Sequence, residues 1–276
     1  MGTGKLLNSR VPIACTVIFC CLHLTSRAEA RDGLFFRIRD SAIKTGKDSG
    51  KRLAYYSVFC GTDGNEASVV YDAPSKAFDC YFITDNENAF QSSKSRGWLS
   101  LRMPGEPSDD DVGANMKCKD LRTRPHRYKF LLSYDYLVFI DSKIAKDVHD
   151  SRTLSVIQAM PSSAALVHRR HDLLQNPPFS VWQEFHLAMN QPRYKLQEAQ
   201  TTRYINKKLQ SGFRELKSTH LLGGYILRNM RHPNVTGIGE YWYQNILECG
   251  IEDQISLFFV HQRFHDLYHV IDSFPI

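Results

Sequence analysis

Three apolar runs in this chain stop at a carboxylate: Cys60-Gly61-Thr62-Asp63, Ile83-Thr84-Asp85 and Ile140-Asp141-Ser142-Lys143. In open α/β sheets, ligands bind at the carboxyl ends of the strands. A carboxylate there can hold a divalent cation, which in turn can hold a diphosphate. One such Asp alone reads equally well as a turn residue bonding its own backbone. The repetition is what points to a crevice. A second set is cationic: Lys117, Lys119 and Arg122 precede Pro125-His126. By spacing alone they form a basic helix face, and beside a phosphate they would be its counter-charge. A third set is acidic, with Glu184, Glu252 and Asp253 as candidates to move a proton or stabilise positive charge. Asp253 also reads as a carboxylate at a helix N-terminus. His261, His265 and His269 recur every fourth residue and would share one helical face. Imidazoles so placed, like His168 and His171, can bind a metal. Leu267-Tyr268-His269-Val270-Ile271 reads as a strand, however, which would set His269 apart.

These residues need elements to position them. Strands are expected at 53–60, 79–85, 98–103, 134–141, 164–168 and 221–228, from β-branched and aromatic runs bounded by turn residues. Helices are expected at 112–123, 151–160, 179–190, 194–210, 238–249 and 252–264. The alternation of strands and helices implies an α/β domain with a mostly parallel central sheet flanked by helices. No internal repeat or low-complexity segment interrupts it.

At 276 residues, with 42% hydrophobic and 23% charged residues, the chain fits one large domain. The net charge of +6 is spread along the chain. No basic stripe or nucleic-acid module emerges, so nucleic acid is not an expected partner. Lys5 and Arg10, the apolar stretch from Val11 to Thr25, and Ala28-Glu29-Ala30 match a secretory signal. The apolar segment has about 15 residues, against roughly 20 for a spanning helix, so it reads as a cleaved signal peptide or a short signal-anchor. The expected organisation is 1–30 signal peptide or anchor, 31–52 stem, and 53–276 a single domain. Cys15, Cys20 and Cys21 fall in the leader. Cys60, Cys80, Cys118 and Cys249 lack zinc-site spacing. In an oxidising lumen Cys60 and Cys80, on neighbouring strands, are the first candidates for a disulfide, and four buried thiols are the alternative. Asn234-Val235-Thr236 is a glycosylation sequon in an expected loop.

The order of these motifs carries a resemblance. Phe82-Ile83-Thr84-Asp85, Gly97-Trp98, the basic helix with Pro125-His126, and Tyr134-Asp135-Tyr136 through Ile140-Asp141 resemble a GT-A-type glycosyltransferase-like domain. More narrowly, they are similar to the plant mucilage-related family, formerly a domain of unknown function. His168-Arg169-Arg170, Trp182-Gln183-Glu184, Gly223-Gly224-Tyr225-Ile226-Leu227-Arg228, Trp242 and Glu252-Asp253-Gln254-Ile255-Ser256 resemble its later segments. The resemblance covers about residues 53–265.

It implies a Rossmann-related GT-A-like fold and transfer of a sugar from a nucleotide-sugar donor to a glycan or glycoprotein acceptor. Asp63, Asp85, Lys119, Arg122, Asp141, Lys143, Gly223 and Gly224 would bind the donor. His168, Arg170 and Trp242 would meet the sugar or acceptor, and Asp253 or Glu184 would act in catalysis. Asp141 would take the first place of an Asp-x-Asp motif and ligate Mn2+ or Mg2+. Lys143 stands at the second acidic place, where it could itself stabilise the leaving phosphate. Glu252 stands where the family has Arg. The expected setting is the secretory pathway, either the Golgi lumen as a type II membrane protein or secretion. Two other readings remain: a secreted metal-dependent hydrolase, the ceramidase activity ascribed to some relatives, and an inactive sugar-nucleotide-binding domain. Against the hydrolase, the chain has no HExxH, no GxSxG and no dense His/Asp run.

Overall fold

The computed structural model describes residues 50–61, 70–105, 108, 110–171 and 179–272. The expected signal segment, most of the expected stem, and Asp63 lie outside these residues. In chain order the elements are β1 (Leu53–Phe59), β2 (Asp79–Thr84), α1 (Glu87–Ser95), β3 (Leu99–Arg102), α2 (Asp111–Thr123), β4 (Tyr136–Ile140), α3 (Asp150–Ala159) and β5 (Leu166–Arg170). Then come β6 (Phe179–Ser180), α4 (Val181–Ala188), α5 (Glu198–Gln210), β7 (Leu216–Lys217), β8 (Leu221–Asn229), α6 (Val235–Cys249), α7 (Asp253–Arg263) and β9 (Tyr268–Ile271).

Seven strands form one sheet in the order β3-β2-β1-β4-β8-β5-β9, and β6 and β7 form a separate antiparallel ribbon. Pairings β1·β2, β1·β4, β2·β3 and β5·β9 are parallel, whereas β8 runs antiparallel between β4 and β5. The sheet is therefore mostly parallel, as expected, with one reversed strand, β8, fifth in the order of seven. The reversal brings Gly223 and Gly224, at the start of β8, to the same edge as the carboxyl ends of β1, β2 and β4.

The central strands are apolar because both of their faces are covered. On β1, Ala54 and Tyr56 join a core with Leu121 of α2, Trp242 and Ile246 of α6, and Leu257 of α7. The alternate residues Leu53 and Tyr55 face the other side, with Ala89 of α1 and Val156 and Ile157 of α3. A third core joins Val181 and Phe185, Tyr204 and Ile205, and Phe258 and Phe259, so it ties α4 and α5 to α7. Among the described residues, no helix is long and apolar enough to cross a membrane.

The disulfide expectation needs correction: Cys60 bonds to Cys118 of α2, with Cα atoms 5.9 Å apart. Cys80 pairs in register with Tyr55, five residues before Cys60, which puts the two about 16 Å apart along the strands. The two cysteines also lie in cores on opposite faces of the sheet. The sequon straddles a turn and a helix: Asn234 is an exposed turn residue at the N-cap position of α6, without a side-chain capping bond, and Val235 and Thr236 begin the helix.

Candidate functional site

At the crevice edge the carboxylates divide by what they touch. Asp85 accepts from the Gly61 backbone N–H at 3.1 Å, and Asn86 donates to the Gly61 carbonyl at 3.0 Å. Lys117 Nζ lies 3.8 Å from the second Asp85 oxygen, and the Asp85 side chain is buried. Asp85 therefore braces the turn after β1 rather than opening toward a nucleoside. Asp141 is half-buried at the end of β4, and its N–H donates to the Gly224 carbonyl at 2.8 Å. A Cβ on Gly224 would sit 3.6 Å from the Asp141 Cβ and carboxylate, so the glycine sets how closely β8 approaches. Lys143 is exposed two residues on.

A dense polar group is built by α2 and the N-terminus of α7. Lys119 Nζ is 2.9 Å from one Asp253 oxygen, and the Arg122 guanidinium is 2.7 Å from the other. Arg122 also donates to the Gly223 carbonyl and lies over the Phe139 ring, 4.7 Å from its centroid. The Arg122 guanidinium fills the space that a Cβ on Gly223 would need. Lys119 and Arg122 are three apart on a helix, so both reach the same partner. Asp253 comes from the first turn of α7, whose N-cap Glu252 accepts from the Gln254 N–H at 3.0 Å.

From Gly223 the polar chain continues inward. Its N–H donates to Gln254 Oε1 at 3.1 Å, and Gln254 Nε2 donates to Glu184 Oε1 at 2.8 Å. The other Glu184 oxygen meets His220 Nε2 at 2.9 Å. One ligand atom each from His171, Glu184 and His220 lie within 4.8 Å of one another. The chain thus does contain a His/Glu cluster, although no short motif announces it. Its members come from the end of β5, the first turn of α4 and the residue before β8.

Electrostatics follow from burial. Burial works to raise the Asp253 carboxyl, but Arg122 and Lys119 outweigh it and hold the carboxyl below the usual Asp value. Burial similarly opposes ionisation of Glu184, and the His220 hydrogen bond and charge, with Gln254, bring it below the usual Glu value. Among the described residues no cation pairs with Glu252, and Lys119 acts on it only at a distance. Burial, then the charges of Glu184 and Asp253, push it up to about 7.

Between the usual Glu value and about 7, folded Glu252 keeps a proton that the unfolded chain releases. Its contribution to stability is complete below that window, falls as pH rises through it, and stops falling above about 7. Asp253 and Glu184, held low, act oppositely: their contribution is present above the usual carboxylate values and is lost on acidification. Glu252→Gln should therefore raise Tm most at alkaline pH, by on the order of 3 kcal/mol of unfolding free energy. Thermal melts of both chains between pH 5 and 8 are the check, and parallel curves would refute the assignment.

Two residues expected at the sugar need correction. Trp242 is 1% exposed and donates its indole N–H to Ser256 Oγ at 3.0 Å. His168 is fully buried, with its ring 6.0 Å from Trp242 and 5.4 Å from Tyr268. Burial and then the Arg228 charge lower His168 to about 3, so it is a neutral core imidazole. Neither offers a face to a sugar. Arg170 is half-buried and pairs with Asp272. The three later histidines also separate: His261 is buried against Lys217 Nζ at 2.5 Å, His265 pairs with Asp266, and His269 lies on β9.

No protein-family model matches this sequence, and a search of curated proteins returns no match. Among solved structures, mouse xyloside xylosyltransferase 1 in its apo form gives a TM-score of 0.45 at 13% identity, over 80% of this chain and 85% of that one. The apo bifunctional glycosyltransferase WbbM gives 0.42 at 12% identity, over 80% of this chain and 39% of that one. This chain therefore spans less than half the length of WbbM. Both structural neighbours are glycosyltransferases.

Proposed function

We propose that the chain is a glycosyltransferase that moves a sugar from a nucleotide-sugar donor to a glycan or glycoprotein acceptor. The observation that carries this reading is the convergence of Lys119, Arg122 and Asp253 beside Gly223, where the sheet presents its carboxyl edge. Two buried cations on one carboxylate make a site that accepts phosphate oxygens equally well. Lys119 and Arg122 would take the donor diphosphate. Released from them, Asp253 would become more basic and could accept the proton of an acceptor hydroxyl, or stabilise an oxocarbenium ion. Asp141 would face the donor from β4.

The donor set at Asp141 fits a metal ion poorly. Among the described residues Asp141 belongs to no group of three ligand atoms from His, Cys, Asp or Glu. The exposed Lys143 stands where a second acid would complete the motif. In this reading the lysines and Arg122 neutralise the leaving diphosphate, and no step is routed through Mn2+ or Mg2+. The Cys60–Cys118 disulfide supports an oxidising, secretory setting, and the exposed Asn234 of the sequon is compatible with one.

Thermal shift of the full chain with nucleotide sugars and nucleoside diphosphates, with and without Mn2+ and EDTA, tests the proposal. One nucleotide family at about 100 times its Kd should add about 2.7 kcal/mol, or about 5–10 °C in Tm. Lys119→Met and Asp141→Ala should abolish the shift, and EDTA should not. If the folded protein shifts with no nucleotide, the transferase reading fails.

A further inference from the structure

We propose that His171, Glu184 and His220 bind one transition-metal dication of zinc-like chemistry, at a site separate from the donor crevice. Two imidazole nitrogens and one carboxylate are a ligand set that suits Zn2+ and its neighbours. The three residues are 7%, 6% and 1% exposed, so the ion would be held inside the protein. Glu184 Oε2 and His220 Nε2 stand 2.9 Å apart, close to the separation of about 3–3.5 Å for two ligands each about 2.0–2.2 Å from one ion. The His171 and His220 rings lie 5.2 Å apart, and the His171 N–H donates to the His220 carbonyl at 3.0 Å. That backbone bond fixes the two histidines side by side.

Two further observations point to a missing ligand. Nδ1 of His171 is buried with no hydrogen-bond partner, an expensive condition for a polar atom. Gln254 meanwhile grips the second Glu184 oxygen at 2.8 Å, as an outer-shell residue does in orienting a carboxylate ligand. The ion would fasten the end of β5, the start of α4 and the approach to β8 at one point. Its burial suits a structural tie better than a substrate-binding centre, and it moves Glu184 from candidate base to ligand.

The full chain, stripped of metal and then titrated with Co2+, gives the test. The expected result is uptake of one Co2+ per chain with the strong visible absorption of low-coordinate cobalt, displacement by Zn2+, and a rise in Tm. His171→Asn leaves the Glu184–His220 hydrogen bond in place and should still fold. It should weaken Co2+ binding by more than the ~10–100-fold that outer-shell changes cost, and Glu184→Gln should do the same. Folded wild-type protein that takes up no Co2+, or shows only the weak absorption of hexa-aquo cobalt, would overturn the proposal. So would cobalt spectra unchanged in both variants.

Discussion

Asp253→Ala is expected to lower stability and abolish sugar transfer, yet leave nucleotide binding intact or tighter. The two readouts separate because Asp253 serves two partners. It neutralises Lys119 and Arg122, and all three side chains are largely buried. Removing one partner of a buried ion pair costs about 3–5 kcal/mol, or about 10 °C in Tm for a domain of this size. The same deletion frees both cations for a diphosphate, so nucleotide affinity should not fall. A lost proton acceptor lowers turnover by ~10²–10⁴-fold. Asp253→Asn keeps the side chain's shape and leaves Lys119 and Arg122 in place for the donor. It should recover part of the stability and none of the turnover. Transfer that returns along with stability would make Asp253 a structural counter-ion only.

Loss of the Cys60–Cys118 bond is the second large effect. The bond closes 58 residues, and a loop of that length restricts the unfolded chain by about 4 kcal/mol in the chain-entropy account. Cys60→Ser with Cys118→Ser should therefore lower the denaturant midpoint strongly and make it indifferent to reductant, whereas the parent midpoint falls on reduction. Cys118 adjoins Lys119, so the double variant should also bind nucleotide more weakly than its lost stability alone explains. A midpoint that does not move would mean the bond is absent from the folded protein in solution.

What could be read from sequence divides along physical lines. Leu53–Phe59, Asp79–Thr84 and Tyr136–Ile140 were legible because strands covered on both faces are apolar throughout. Helix α1 was not foreseen. Its apolar face is little more than Ala89 and Phe90, and it is held by Asn86 accepting from the Ala89 N–H at 2.8 Å. The direction of β8 was also hidden, since composition does not encode whether a strand runs with or against its neighbours. In the site, Lys119, Arg122, Gly223 and Asp253 each stood out by type, but that they meet depends on the reversed strand. Trp242 and His168 misled because an aromatic or imidazole side chain suits a sugar platform and a packed core equally well. His220 carried no signal, as a lone histidine between Thr219 and Leu221.

Helix α2 is pinned along its length. Cys118 anchors it to the end of β1, and Thr123 lies so close to Gly239 of α6 that its carbonyl leaves no room for a Cβ there. Just past its end, Arg124, His126 and Arg127 all reach Glu240 of α6, at 3.2, 2.9 and 2.7 Å. An arriving diphosphate would therefore meet a stationary pair of cations, and the adjustment would fall to the first turn of α7. That turn leads through Gln254 to Glu184. The proposed donor edge thus divides into an anvil and a hammer, and hydrogen exchange on ligand binding should change at residues 252–256 while 118–123 stay silent.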